Sequence, residues 1–329
     1  MRRTSVRLIR LDNVRVNRQR CGCAVEWGGV NVTEHQIAYG TGTLTVRDYG
    51  GQGPAVILVH AAGFCALAWD QVGEALGGHV RAVALDLPGH GGSTAPMRRA
   101  SDAWKAIIAV TEVLELTKPL LVGISQGSHA CLAATIEEPD TFAGVVTFGG
   151  ACVRSEENAE DEIAFYTSPQ FTELLRQRFF FGSRGRTRKE AHALADHIAV
   201  RLAKDWRVIG FKGLREEIMY SIRSHPEGGW VNLPLPQTIL AMISFEEGDR
   251  FYPAEKLFDR VRVPVVIVQL GDGLDREHAN RERDLALEND LVTVRGLDAG
   301  DYPHYTRHHE VASIILETCG VTSRPAVAS

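Results

Sequence analysis

The sequence feature that most constrains the fold is the stretch from Leu121 to Gly127, which reads LVGISQG. It joins an apolar segment typical of a buried strand to the helix-forming run His129 to Ala134. A serine in a sharp strand-to-helix turn needs small residues two positions before and after it, because the backbone is crowded there. Such a turn holds the Ser125 hydroxyl clear of the sheet. The pattern therefore predicts a strand–turn–helix unit that presents a nucleophile.

Apolar strand patterns alternate with amphipathic helical patterns from residue 55 onward. The predicted strands are 55–60, 80–85, 119–124, 143–148, 263–270 and 291–295, after a hairpin of 30–39 and 43–49. The predicted helices lie near 67–77, 101–115, 126–137, 276–288 and 308–319. This alternation predicts an α/β fold with a mostly parallel, doubly wound sheet. Its reactive groups are expected at the carboxyl ends of the strands.

Two upstream segments extend the pattern around Ser125. Residues 55–64 read AVILVHAAGF, and residues 82–93 read AVALDLPGHGGS. In order and spacing, these segments and the LVGISQG stretch resemble the α/β-hydrolase family, with its oxyanion turn, its D-x-x-G-x-G-x-S loop and its nucleophile elbow. The resemblance implies an α/β-hydrolase fold with the backbone N–H groups of Ala62 and Gln126 as oxyanion donors. Ala61 stands where the family usually has glycine.

The resemblance also implies a domain organisation. Residues 24–151 and 259–320 would form the core, and residues 152–258, where the alternation stops, would form an inserted helical cap of four or five helices. Residues 1–23 are expected to be a basic, solvated arm and residues 321–329 a tail. Phe64, Trp206 and Trp230 are candidate substrate contacts, although large aromatic side chains more often fill interiors.

In this family a carboxylate follows the strand before the last one, and a histidine follows the last strand. The loop Gly271 to Asp275 offers both Asp272 and Asp275 as the acid, and Asp275 is favoured. The segment Ala299 to His304, AGDYPH, places Asp301 where the catalytic histidine is expected. The alternative is that His304 takes the histidine's role.

An aspartate changes the chemistry expected of Ser125. With an ordinary pKa near 3.9 against about 6.5 for histidine, it is a weaker base by about 3.5 kcal/mol. Its side chain is also shorter. If Asp301 lies beside Asp272 or Asp275, the two carboxyls share a proton, because neighbouring carboxylates do not ionise together easily.

Three functions fit these residues. The first is a hydrolase that acts on a small ester, lactone or amide through Ser125, with an atypical acid or base. The second is a non-hydrolytic isomerase, epimerase, cyclase or lyase that uses Asp301 for proton transfer. The third is a ligand-binding protein without turnover, which is disfavoured because a pure binder has no need of a strained elbow.

Composition limits the partners of the 329-residue chain. Its net charge of −5 does not indicate nucleic-acid binding, which is typical of basic proteins, and its apolar runs are too short to span a membrane. The six cysteines show neither a disulfide framework nor a metal-binding spacing, so we expect a cytoplasmic protein without a metal. No dinucleotide fingerprint is present, and we expect no cofactor. The expected partner is a small-molecule substrate, and a homodimer is compatible with these features.

Overall fold

The computed structural model describes residues 10–11, 14–27, 30–151, 153–204, 213–246, 248–273 and 278–321. The strands are β1 (Arg10–Leu11), β2 (Val14–Trp27), β3 (Val30–Tyr39), β4 (Gly42–Gly50), β5 (Ala55–Val59), β6 (Arg81–Leu85), β7 (Leu120–Ile124), β8 (Gly144–Phe148), β9 (Arg184–Gly185), β10 (Ile222–Ser224), β11 (Trp230–Asn232), β12 (Val265–Leu270) and β13 (Val292–Leu297).

Ten of these strands form one sheet in the order β1-β2-β3-β4-β6-β5-β7-β8-β12-β13. The first four strands are antiparallel, and the six from β6 to β13 are parallel. The predicted α/β fold class is confirmed, and the six strands predicted from residue 55 onward agree with the structure to within two residues. Val59 pairs with Gly123, and Ile124 pairs with Phe148, so the carboxyl ends of β5, β7 and β8 lie side by side.

Helices cover both faces of the parallel strands. They are α1 (Asp70–Ala75), α2 (Ser101–Val113), α3 (Gln126–Glu137), α4 (Glu156–Tyr166), α5 (Pro169–Phe179), α6 (Arg188–Leu202), α7 (Leu214–Ser221), α8 (Pro236–Ile243), α9 (Ala279–Glu288), α10 (Pro303–Thr306) and α11 (His308–Thr318), with 3₁₀ turns at Ala66–Trp69 and Glu255–Arg260. Successive β5 side chains point to opposite faces. Ile57 therefore packs in one apolar cluster with Ile107 of α2, and Leu58 packs in the other with Ile315 of α11.

The segment between β8 and β12, residues 153–258, is called the insertion here. Helices α4 to α8 lie in it, together with a small sheet in the order β10-β11-β9 that the sequence analysis missed. Strands of two or three residues are too short to show a period in the sequence. At the other end of the chain, residues 14–27 form β2 and pair with β3, whereas the sequence analysis assigned residues 1–23 to a solvated arm.

The described residues contain neither a membrane-spanning helix nor a metal-binding cluster. No helix in these parts of the chain is long and apolar enough to cross a membrane. Nor do their His, Cys, Asp and Glu side chains form a group of three or more that could hold a metal ion.

A buried ion pair joins the sheet to α1. The side chain of Arg47 on β4 is fully buried, and it donates to both carboxylate oxygens of Asp70 at 3.0 and 2.8 Å. The Tyr49 hydroxyl donates to the same carboxylate at 2.8 Å. Removing one partner of a buried pair leaves an uncompensated charge, which usually costs more than the pair contributed.

We predict that Asp70→Asn lowers the free energy of unfolding by about 3–5 kcal/mol, because Arg47 would stay buried without its counter-charge. The matched control is Glu317→Gln, which breaks the half-exposed pair with Arg295 and is expected to cost at most about 1 kcal/mol. Denaturant unfolding at neutral pH measures both values. Equal effects of the two substitutions would contradict this account of Arg47.

Candidate active site

Ser125 lies at the turn from β7 into α3 with φ 51° and ψ −124°. This left-handed backbone is strained for a residue with a side chain, and it persists only where the surroundings enforce it. Two glycines allow the chain to close around it. A Cβ added to Gly127 would lie 2.6 Å from the carbonyl oxygen of His60, and one added to Gly150 would lie 2.3 Å from that of Ser125. The glycine two residues after the serine is therefore a packing requirement.

The Ser125 hydroxyl lies on the wall of a cavity of about 310 Å³ between the carboxyl ends of the strands and the insertion. Its Oγ donates a hydrogen bond to Oε1 of Gln126 at 2.7 Å. Most of the wall is apolar and includes Phe64, Phe171, Leu175, Phe179, Phe181 and Ile239. A cavity of this size and lining suits a small, largely apolar ligand with a few polar groups.

Two backbone N–H groups are available beside Ser125. Gln126 is the first residue of α3, and the N–H groups of a first helical turn have no partner within the helix. Ala62 follows β5 in the neighbouring turn, and both residues line the cavity. N–H groups placed in this way can stabilise negative charge on a carbonyl oxygen during attack by the serine.

Two buried histidines hold the Ala62 turn in place. His60 donates from Nδ1 to the carbonyl of Ala61 at 2.8 Å and accepts at Nε2 from the Leu87 N–H at 3.0 Å. His90 donates from Nδ1 to a backbone carbonyl and accepts at Nε2 from the Gly63 N–H at 3.3 Å. Burial lowers the pKa of His60 to about 4 and that of His90 to about 3, which keeps both neutral and able to accept. Sequence reasoning gave neither a role, although both stand inside the motifs it used.

Asp301 lies half-buried in the loop between β13 and α10. Its carboxyl faces the loop after β12, with Oδ1 3.6 Å from the point where a Cβ on Gly273 would lie. Asp272 is exposed in that second loop, and its N–H donates to the carbonyl of Ala299 at 3.1 Å. Asp275 lies outside the described residues. The loops of Asp301 and Asp272 meet, but the residue of this region on the cavity wall is Tyr302.

His304 does not reach the cavity. Pro303 begins α10, and the His304 ring is buried at 2% exposure against Trp69 and Tyr305, with ring centroids 5.3 and 4.0 Å away. Burial lowers its pKa to about 3, and its Nδ1 has no hydrogen-bond partner among the described residues. In this structure His304 is a core residue packed among aromatic side chains, and it is not on the cavity wall.

The candidate substrate contacts have separate outcomes. Phe64 lines the cavity, and its contact with substrate stays a prediction. Trp230 does not line the cavity, because it lies buried on β11, where its indole N–H donates to the Thr187 carbonyl at 2.9 Å and its ring covers Gly185. Trp206 lies outside the described residues.

Glu217 is a cavity residue that sequence reasoning missed. It lies on α7 with 6% exposure and lines the same cavity as Ser125. The hydroxyl of Tyr305 donates to its Oε2 at 2.8 Å. Burial raises the pKa of Glu217 to about 8. A glutamate in a charged amphipathic helix gives no sequence signal that separates it from its exposed neighbours.

The buried histidines predict sensitivity to acid. Because His304 stays neutral in the folded state and takes up a proton below about pH 6.5 when unfolded, stability is lost as pH falls below that value. We predict that His304→Leu removes about 2 kcal/mol of the stability difference between pH 7.5 and pH 5. The exposed neighbour His309, changed to Leu, is the matched control. Denaturant unfolding at both pH values is the measurement, and equal pH dependence in His304→Leu and the unmutated protein would contradict the burial argument.

Comparison with known proteins places this geometry in a family. The chain matches the family model described as "Alpha/beta hydrolase family" over residues 56–314. It is 32% identical over 110 residues to the 2-succinyl-6-hydroxy-2,4-cyclohexadiene-1-carboxylate synthase of Salmonella paratyphi C, a match that covers 33% of this chain and 43% of that protein. It is 31% identical over 107 residues to the (E)-2-((N-methylformamido)methylene)succinate hydrolase of Acinetobacter baylyi, covering 32% and 41%. The chain thus matches less than half the length of these relatives.

Solved structures extend the similarity to nearly the whole chain. The fold resembles E-2-(acetamidomethylene)succinate hydrolase with a TM-score of 0.64 and 19% identity, covering 92% of this chain and all of that one. It also resembles the enol-lactonase of Burkholderia xenovorans LB400 with a TM-score of 0.57 and 16% identity, covering 85% and 97%. At these identities the similarity shows the fold. Since the family model spans most of the sequence, the protein belongs to the alpha/beta hydrolase family.

Proposed function

We propose that the protein is an enzyme that hydrolyses a small carbonyl-containing substrate, an ester, lactone or amide, through Ser125. The observation that carries this proposal is the strained backbone that holds the Ser125 hydroxyl on the wall of an apolar cavity. The N–H groups of Ala62 and Gln126 are the proposed oxyanion donors. Relatives and structural neighbours with names such as succinate hydrolase and enol-lactonase support hydrolysis in general.

The proposed reaction begins with Oγ of Ser125 attacking the carbonyl carbon while its proton passes to a base. The negative charge that develops on the carbonyl oxygen is stabilised by the two N–H groups, and the apolar wall strengthens those hydrogen bonds by excluding water. The leaving group departs with a proton, and water then hydrolyses the acyl-enzyme. In the resting state the Ser125 proton points to the Gln126 amide oxygen, which orients the hydroxyl but is far too weak a base to accept the proton.

Asp301 is the proposed atypical base. It stands at the position of the family's histidine, and its neighbour Tyr302 lies on the cavity wall. Its carboxyl faces the loop that carries Asp272. Since aspartate is ordinarily a weaker base than histidine, acylation of Ser125 is expected to be slow.

A second candidate function is proton transfer without hydrolysis, as in an isomerase, epimerase, cyclase or lyase. The observation that favours it is that no histidine among the described residues lines the cavity, since His304 is packed in the core. One relative is named as a synthase, which agrees with this alternative. In that case Asp301 would move the proton, and Ser125 would only orient the substrate.

The two functions predict different effects of single substitutions. If Ser125 is the nucleophile and Asp301 its base, Ser125→Ala abolishes hydrolysis of 4-nitrophenyl butyrate, and Asp301→Asn lowers kcat by about 10²–10⁴-fold. The matched control is Asp298→Asn, which neutralises an exposed carboxyl in the same loop and is expected to leave kcat unchanged. Intact hydrolysis in Asp301→Asn, with none in Ser125→Ala, would make Asp301 a bystander. Strong loss in Asp301→Asn with only mild loss in Ser125→Ala would favour proton transfer.

Covalent labelling tests the weak-base argument separately. We predict that a fluorophosphonate probe labels Ser125 slowly, that Asp301→His accelerates the labelling, and that His304→Leu leaves the rate unchanged because His304 is buried away from the cavity. Intact-mass measurements over time, with Ser125→Ala as the blank, give the rates. Rapid labelling of the unmutated protein that is lost in His304→Leu would instead identify His304 as the base.

A further inference from the structure

Glu217 holds a position in the cavity that the proposed hydrolysis does not use. Its helix α7 belongs to the insertion, whereas Ser125 and the oxyanion donors belong to the sheet and its loops. The carboxyl is buried, and it lines the same cavity as Ser125. A buried carboxyl at a ligand cavity must satisfy its oxygens and its proton, since leaving them unpaired carries a desolvation cost.

The groups around Glu217 show which of its hydrogen bonds are already made. Tyr305 on α10 donates to Oε2, and the Cys65 thiol ahead of the first 3₁₀ turn also acts on the carboxyl as a donor. The further charged groups that act on it are the carboxyls of Asp70 on α1 and Asp86 after β6. Both are acids, and a negative charge on either of them disfavours a negative charge on Glu217. Asp70 is paired with Arg47, and Asp86 accepts the Tyr220 hydroxyl at 2.6 Å.

Burial, together with these two acids, raises the pKa of Glu217 to about 8, so the carboxyl carries its proton at neutral pH. Because Oε2 of Glu217 accepts the hydrogen bond from the Tyr305 hydroxyl, we place the carboxyl proton on Oε1. The Cys65 thiol lowers the pKa of Glu217 and so acts as a donor to the carboxylate, and its sulfur is only a weak acceptor for the Glu217 proton. A carbonyl, amide or hydroxyl oxygen of a ligand is a much better one.

We propose that Glu217 binds the substrate by donating a hydrogen bond to a second oxygen, remote from the carbonyl that lies at Ser125. This inference rests on the proposed function of the same cavity and specifies the substrate class further. The substrate carries two uncharged oxygen acceptors separated by an apolar segment, which packs against the aromatic and aliphatic wall. Glu217 is a binding residue, and the reaction centre stays at Ser125.

The test measures ligand binding in a Ser125→Ala background, where no turnover interferes. The probes are heptan-2-one and three diketones with increasing separation of the carbonyls, hexane-2,5-dione, heptane-2,6-dione and octane-2,7-dione. Calorimetric titration at pH 6.5 gives each Kd. We expect the best diketone to bind about fivefold more tightly than the monoketone, the gain usual for one neutral hydrogen bond.

Three variants and a pH change test whether the preference for a diketone depends on the proton of Glu217. Glu217→Leu is expected to abolish it, and Glu217→Gln to retain it, because an amide also accepts from Tyr305 and donates to the ligand. Glu216→Gln, at the exposed neighbouring position on α7, is the matched control and should change nothing. Raising the pH to 9.5 should remove the preference when Glu217 is present, since the ionised carboxyl has no proton to donate, but not in Glu217→Gln.

Several results would overturn the inference. It fails if no diketone is preferred, if the preference survives Glu217→Leu, or if Glu217→Leu weakens monoketone and diketone equally, which indicates a purely structural role. Should Glu217→Leu not fold, Glu217→Gln and the pH comparison still decide. The proposed function fails by a different result. If the protein does not hydrolyse esters, the hydrolase proposal fails, but the diketone preference can still be observed. If it hydrolyses esters but shows no diketone preference, only the role proposed for Glu217 is wrong.

Discussion

The backbone of Ser125 is the constraint on which the rest of the site depends. Its left-handed conformation is held because β5, β7 and β8 end side by side, so that Gly127 packs against the end of β5 and Gly150 packs against Ser125 itself. The order of the sheet therefore fixes the direction of one hydroxyl. The same arrangement places the Ala62 turn and the first residue of α3 beside Ser125 on the cavity wall.

Two parts of the molecule form the cavity wall and contribute different residues to it. The sheet and its loops supply Ser125, the backbone of Ala62 and Gln126, and Tyr302. The insertion supplies most of the apolar wall and Glu217. The hydrogen bond from Tyr305 to Glu217 joins these parts, because α10 follows directly on the loop of Asp301. Changes in substrate preference and changes in reaction chemistry should therefore arise from substitutions in different segments.

The strand pattern and the elbow were predictable because both follow from local rules, alternation along the chain and crowding at a turn. The small sheet of the insertion was not predictable, since its strands are too short to show a period. At the site, the sequence did not show which side chains are buried in the core and which line the cavity. His304 was the sequence alternative for the catalytic histidine, yet its ring is packed in the core, and Trp230 packs on Gly185 away from the cavity. Glu217, in contrast, lines the cavity although the sequence did not indicate it, because nothing in its sequence context distinguishes it from the exposed Glu216.

The most direct test of the central claim is a crystal structure of the protein with a short-chain aryl trifluoromethyl ketone, an electrophile that serine nucleophiles attack to form a stable hemiketal. The account predicts a covalent bond from Oγ of Ser125 to the ketone carbon, with the hemiketal oxygen about 2.7–3.1 Å from the backbone nitrogens of Ala62 and Gln126. A ketone bound in the cavity without a bond to Ser125, or with its oxygen directed away from both N–H groups, would contradict it.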